Sequence, residues 1–453
     1  MASFYPLQRA VGCSGTLGRR GYSPREVWET AGSSSGGIPR NVVALLQFSL
    51  FRGIATGGFQ ALFTAYMKAE GYSFSSIGAA VTASSILAAA VAPGFGTVID
   101  CYGAKLTSAA TGALLAASLA VLLANPSYGV FLLSYALFMV AFSLGQPARA
   151  TLLAKSVPPE KHGWYIGLTS TAFALARTIG PAAAGLIASV YGFKPAFGVL
   201  AVVAAAGVVL FYITAVETRE ARCGEVRKEA ARAYRRLLSA PQGLRWLFLV
   251  VALDRAGWRL WFPMLSAYLY SMGYSEAEVG GLLSVMSLTQ TVLTTIWGRL
   301  TERIGPHRLM ALSEAFGAVA MAILASPVPA LRAMAGMVIV GVSISAWVPG
   351  YNRTVAAIAR EKLGEAYASS NAVRTFSSAF TPALGGAIYD SLGSIPLFSL
   401  SAVTVITAGM LATRLGRWIS RSGSGGPTGP GGGQPDQGAL VTGGYEERGS
   451  PCS

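Results

Sequence analysis

Charge is scarce in this chain of 453 residues: Asp, Glu, Lys and Arg make up only 12% of it, about half the roughly 25% usual in a soluble domain. With hydrophobic residues at 53%, the chain is expected to fold in a solvent other than water. Histidine occurs twice, at His162 and His307, and cysteine four times, at Cys13, Cys101, Cys223 and Cys452. Such a sparse set gives no spacing for a His/Cys metal cluster, so no metal is expected. All four cysteines fall on the side assigned below to the cytoplasm, where thiols stay reduced, so no disulfide framework is implied. The Gly-Lys dipeptide is missing altogether, which excludes a Walker A loop and ATP-driven pumping within this chain. No surface cluster of His, Cys and carboxylates marks a membrane enzyme, and neither catalysis nor a cofactor is expected.

What is present is a series of apolar runs of about 20 residues, each long enough to cross a hydrocarbon core of roughly 30 Å. Twelve fit between 41–66 and 396–418, the seventh over 244–270 and the eleventh over 366–390. They are expected to be helices, because isolated strands would leave backbone groups unpaired in lipid. The fold class is therefore an all-α membrane protein with twelve transmembrane helices in two six-helix bundles. The expected layout is a cytoplasmic N-terminal tail over 1–40, a first bundle over 41–216, a cytoplasmic central loop over 217–243, a second bundle over 244–418 and a disordered cytoplasmic tail over 419–453. The first 40 residues lack the apolar core of a signal peptide.

A formal net charge of +15 would suggest a polyanionic partner in a soluble protein. Its placement argues otherwise. With both termini inside, 27 of the 35 Lys and Arg fall on the cytoplasmic side, five lie deep within spans and three lie outside, which is the positive-inside bias. The opposite orientation would translocate the eight Lys and Arg between Arg219 and Arg245. The expected setting is thus a multi-pass protein of the cell membrane, with the lipid bilayer and no nucleic acid as partner, acting as a monomer.

The sequence repeats itself. Gly71-Tyr72-Ser73 returns as Gly273-Tyr274-Ser275 at an offset of 202, and the same offset carries Gly96, Asp100 and Gly103 onto Gly298, Glu302 and Gly305. One residue of slippage then places Pro181 on Pro382 and Gly192 on Gly393. Six spans separate equivalent positions, so the two halves form a parallel repeat about an axis along the membrane normal.

The loop after span 2, Gly96 to Lys105, and its counterpart after span 8, Gly298 to Arg308, resemble the major facilitator signature G-x3-D/E-R/K-x-G-x-R/K. Cys101 stands where a basic residue is usual, and His307 takes the last basic position of the second copy. The resemblance covers residues 41 to 418 and implies alternating access around a central cavity lined by spans 1, 4, 7 and 10. It implies a gating role for Gly96, Asp100, Gly103 and Lys105, and for Gly298, Glu302, Arg303 and Gly305. The alternative is a plain hairpin turn with ordinary positive-inside residues. In span 5, Ala176 to Gly185 resembles an antiporter-associated pattern with alanine for two of its glycines; the alternative is a kink at Pro181.

Ionisable groups inside spans are the most informative residues, because each costs about 2.5–3.5 kcal/mol at the bilayer centre unless it faces water or a partner. Arg52 and Asp254 are repeat-equivalent, which allows an ion pair across the cavity. Arg255 and Arg259 lie one turn apart on a shared face. One reading makes Arg52, Asp254, Arg255 and Arg259, with Gln60 and Tyr351, the site for an organic anion held by arginine forks. The other makes the charges a structural network, with Arg177 and Arg374 at the interface of the halves near Pro181 and Pro382. Gln146, Arg149, Gln290, Trp347, Asn352 and Arg353 are further cavity candidates, but Arg149 and Arg353 fall near the cytoplasmic mouth, where the topology rule alone would place them. A proton-coupled mechanism would use Asp254 or, on a peripheral helix, Glu314; without one, a counter-transported solute drives exchange. The expected function is a secondary active transporter of a small molecule, working as a rocker switch. A multidrug or sugar efflux permease and a membrane ligand sensor are the alternatives.

Overall fold

The computed structural model describes residues 38–91, 95–218, 242–325, 329–358, 370 and 373–423. The first half comprises α1 (Arg40–Ala69), α2 (Phe74–Val91), a short α3 (Phe95–Tyr102), α4 (Ala104–Val121), α5 (Tyr128–Ser156), α6 (His162–Tyr191) and α7 (Phe193–Thr214). The second comprises α8 (Gln242–Trp261), a 3-10 turn (Phe262–Met264), α9 (Leu265–Ser271), α10 (Glu276–Ile304), α11 (Pro306–Leu324), α12 (Ala330–Ile358), a helical stretch over 373–377, α13 (Thr381–Leu392) and α14 (Ser394–Gly423). No strand occurs among the described residues.

Ten of the helices are long and apolar enough to cross a bilayer by themselves. The remaining two spans are broken rather than continuous. Span 7 is α8 and α9 joined through the 3-10 turn at Pro263, and span 11 is interrupted by a turn over 378–380 just before Pro382. Proline removes a helix hydrogen bond and clashes with the preceding turn, which accounts for both breaks.

The repeat is visible in the backbone. Gly71, Gly103 and Gly192 adopt φ of 85°, 89° and 87°, and their counterparts Gly273, Gly305 and Gly393 adopt 90°, 89° and 87°. These six turns reverse the chain in a conformation that L side chains resist, so the sequence spacing of their glycines marks the ends of the spans. Polar caps set other ends. Ser127 accepts from the Val130 amide at the start of α5, and Ser275 with Glu278 forms a capping box on α10.

The molecule has a near face, where α1 begins and α7 ends, and a far face at the turns of Gly71 and Gly273. On the far-face half the two bundles touch closely. A methyl group added to Gly280 would stand 2.3 Å from the Pro181 carbonyl oxygen, and one on Gly78 would stand 2.2 Å from that of Pro382. Hydrogen bonds cross the same seam. The Ala182 amide donates to Ser284 Oγ at 2.9 Å, the Ala383 amide to Thr82 Oγ1 at 3.0 Å, and Ser266 Oγ to the Gln60 carbonyl at 3.1 Å. Toward the near face, α6 and α10 instead border a polar cleft of about 250 Å³.

Within each bundle, small hydroxyl residues join neighbouring helices, as where Ser313 and Ser343 donate to each other's carbonyls at 2.7 Å. The outer surface is apolar: Val190, Val202, Val403 and Met410 are each about 60% exposed or more, as a lipid-facing shell requires. Cys101 is disulfide-bonded, and the other three cysteines lie outside the described residues. The expectation of four reduced thiols rested on compartment alone.

Candidate functional site

Three groups of charged residues occupy the interior. The first lines a central cavity of about 130 Å³ directly under the far-face seam. Span 7 breaks here, and the 3-10 turn brings Phe262 and Pro263 to the wall. Gln60 of α1, Tyr135 of α5, Arg177 of α6, Arg259 of α8 and Ser287 of α10 line the rest. Arg259 Nη2 donates to Ser85 Oγ of the opposite half at 3.0 Å.

The second group forms a pocket of about 260 Å³ within the first half, between α1, α5 and α6. Arg52 projects into it with 6% of its surface exposed. Its guanidinium lies 5.0 Å from the Phe173 ring centre and 5.8 Å from that of Phe142. Arg149 lines the same pocket, and its buried Nη1 has no hydrogen-bond partner. The pocket shares Ser170 and Phe173 with the near-face cleft, and the cleft shares Arg177 and Ser287 with the central cavity. All three spaces therefore adjoin.

The third group lies within the second half, with Arg255 keeping 26% of its side-chain surface exposed. Asp254 is fully buried and pairs with its neighbour Arg255. Glu314 of α11 is 1% exposed, with Asp254, Arg255 and Trp258 facing its carboxyl. Neither oxygen of Glu314 takes a hydrogen bond, and neither does Asp254 Oδ1. Tyr351 is buried beside this group. Its hydroxyl donates to Ser370 Oγ at 2.7 Å, its ring stacks near Trp347, and Arg374 lies 5.6 Å over it.

Several expectations change. Arg52 and Asp254 do not pair across the cavity, because Asp254 points into its own bundle and Arg52 is held by aromatic rings of the other. Arg255 and Arg259 part company as well: Arg255 lies 5.9 Å over the Trp347 ring inside the bundle, whereas Arg259 reaches the cavity. Tyr351 belongs to the buried cluster rather than to a cavity wall. Glu314 lies on a peripheral span in chain order, but its side chain turns inward to Asp254. Arg177 lines the cavity and the cleft, and Arg374 stays inside the second bundle, so the two do not share an interface role.

Arg149 is the residue that sequence reasoning passed over. It lies about two turns from the near-face end of α5, yet its side chain folds back over Gly145. Helical side chains lean toward the N-terminus of their helix, here deeper into the bundle. The pair Gly145 and Arg149, four residues apart, was the available signal.

At the near-face turns, Glu302 pairs with Arg353 of its own half at 2.7 Å. In the first half the surroundings of Gly96 and the side chain of Asp100 lie outside what is described. Glu217 takes the helix-capping position there, accepting from the amides of Lys105 and Leu106 at 3.2 Å. The Lys105 ammonium lies 4.6 Å over the Tyr212 ring.

Two related bundles of six spans enclosing a polar central cavity define a helical membrane transporter. The family model described as Major Facilitator Superfamily matches residues 45–253 and 247–435, and the chain belongs to that superfamily. It is 23% identical over 335 residues to the multi-drug resistance efflux pump PmrA of Streptococcus pneumoniae, covering 72% of this chain and 83% of that protein. It is 25% identical over 272 residues to the multidrug resistance protein MdtG of Yersinia enterocolitica, covering 57% of this chain and 64% of that one. Among solved structures, a peptide transporter POT in complex with sulfate superposes with a TM-score of 0.70 at 14% identity, over 88% of this chain and 99% of the other. The human organic anion transporter MFSD10 does so with a TM-score of 0.60 at 16% identity, over 82% and 99%. The chain is thus a transporter of small molecules that spans the membrane many times, in a family of transporters rather than enzymes.

Proposed function

We propose that this transporter carries a small amphipathic organic anion across the cell membrane, exposing the central cavity alternately to either side. One observation carries the reading. The central cavity, the Arg52 pocket and the cleft between them are lined by Arg52, Arg149, Arg177 and Arg259 and, among the described residues, by no carboxylate. Guanidinium groups stay charged at any physiological pH, so a path with four of them favours anions and repels cations. Phe63, Phe142, Phe173 and Phe262 supply apolar wall for the organic part of the solute.

In this proposal the near face is cytoplasmic, in keeping with the positive-inside bias, and the structure corresponds to an inward-facing state. Export is the direction in keeping with the efflux pump PmrA. Coupling to protons is assigned to Asp254 and Glu314, two buried carboxylates with three oxygens lacking partners. A single proton shared between them would pair one oxygen of Asp254 with one of Glu314. Arg255, Arg374 and Trp258 face the pair, and Tyr351 lies beside the two arginines.

The relatives favour a second reading, multidrug efflux. Counterflow in proteoliposomes separates the two. Salicylate is expected to exchange, with Arg177→Gln and Arg259→Gln each lowering the rate about tenfold, the equivalent of 1.4 kcal/mol. Exchange of a lipophilic cation such as tetraphenylphosphonium, with salicylate inert, would replace the anion reading by drug efflux. Ligand binding without any exchange would make the chain a sensor.

A further inference from the structure

We propose that the pocket between α1, α5 and α6 binds a doubly charged oxyanion group, a phosphate monoester, at one end of the transported solute. The inference rests on the anion-transport reading and narrows its substrate class.

Two guanidiniums share this pocket, Arg52 from α1 and Arg149 from α5. Neither has an ion pair among the described residues. Among the described residues Arg52 lies against the faces of Phe142 and Phe173, and Arg149 Nη1 is buried without a hydrogen bond. Buried charge without a partner is strongly disfavoured, and a buried arginine cannot relieve it by losing its proton. A monoanion such as a carboxylate would leave one positive charge uncompensated. A phosphate monoester carries about −1.5 to −2 at neutral pH and three acceptor oxygens, which matches two forked donors.

The remaining polar wall suits the same group. Gln146, Ser49 and Ser170 add an amide and two hydroxyls around the guanidiniums, and the pocket has no acidic side chain that would repel phosphate. The Phe142 and Phe173 rings offer an apolar flank for the organic part. Because the pocket adjoins the near-face cleft at Ser170 and Phe173, a solute held there by its phosphate reaches toward Arg177 and the central cavity.

The test compares two probes of the same shape and different charge, phenyl phosphate and phenyl sulfate, by calorimetry on the full chain in phosphatidylcholine nanodiscs. Phenyl phosphate is expected to bind about tenfold more tightly at pH 7.5, where it is a dianion, and the preference is expected to shrink at pH 5.5, below its second pKa of about 6. Arg149→Gln should abolish the preference while phenyl sulfate still binds, and Lys194→Gln, at the far-face start of α7, should retain it. Equal binding of the two probes by the unaltered chain, or a preference that survives in both Arg52→Gln and Arg149→Gln, overturns the proposal. Thermal melting without ligand shows which variants are folded, and Arg149→Gln alone suffices if Arg52→Gln is not. Adding phosphatidic acid to the nanodiscs separates the sources of the ester: competition that Arg149→Gln removes supports a lipid headgroup, and its absence with the preference intact supports a soluble ester. Preference for phenyl phosphate without counterflow would leave the pocket standing and defeat the transport reading. Salicylate counterflow with no preference would do the reverse.

Discussion

Asp254 and Glu314 show how much a single side chain's direction matters. Both were visible in the sequence as carboxylates inside spans, but only packing turned them toward each other beside Arg255. Two buried carboxylates facing one another repel unless one holds a proton, so the pair is a natural place for coupling. Glu314→Gln keeps the shape and removes the titrating group. It is expected to abolish accumulation driven by a pH gradient in proteoliposomes while counterflow, which needs no net proton movement, continues at a rate within about threefold. Accumulation at the unaltered level would defeat the assignment. Arg149 marks the limit of reading at this scale: its position in the chain pointed to the near-face mouth, whereas its side chain lies over Gly145 deeper in the bundle.

Between elements, the seam on the far face joins helix ends and close backbones. Asp390 near the end of α13 accepts from the Phe74 and Ser75 amides at 3.1 and 2.7 Å, placing a carboxylate at the N-terminus of α2 in the opposite half. Lys68 stacks over the Phe74 ring and sits near the same carboxylate. An anion at an exposed helix N-terminus contributes about 0.3–1 kcal/mol. Asp390→Asn is therefore expected to shift the balance toward an open far face by about two- to fivefold. Double electron–electron resonance between labels at Asn125 and Arg332, one in each half, would read the shift as a larger long-distance fraction. An unchanged distance distribution would show that the glycine and proline contacts alone hold the seam. The turn glycines were legible in the sequence because a positive φ is a local demand, and the breaks in spans 7 and 11 follow from Pro263 and Pro382. Which helices would meet across the seam was not legible, since small residues occur on many faces of many spans.

At the scale of the whole molecule, the halves close on the far side and diverge on the near side, which leaves the arginine-lined spaces reachable from one face. A disulfide engineered across the seam should trap this state. With the native cysteines replaced by serine, Ala182→Cys and Ser284→Cys are expected to cross-link on oxidation, because the Ala182 amide lies 2.9 Å from Ser284 Oγ. The oxidised protein should lose counterflow almost completely, still bind ligand, and recover on reduction. Full counterflow in the cross-linked protein would rule out alternating access through this seam.

The sequence by itself determined the spans, the parallel repeat and the family, because hydropathy over 20 residues and the spacing of turn glycines depend on no distant partner. It also narrowed the charged interior to a handful of residues. Tertiary structure alone decided how those residues combine: Asp254 with Arg255 and Glu314 in one bundle, Arg52 with Arg149 in the other, and Arg177 with Arg259 at the cavity between them. The reason is geometric. A one-residue step along a helix turns a side chain by about 100°, and the direction it then faces is set by the neighbouring helices.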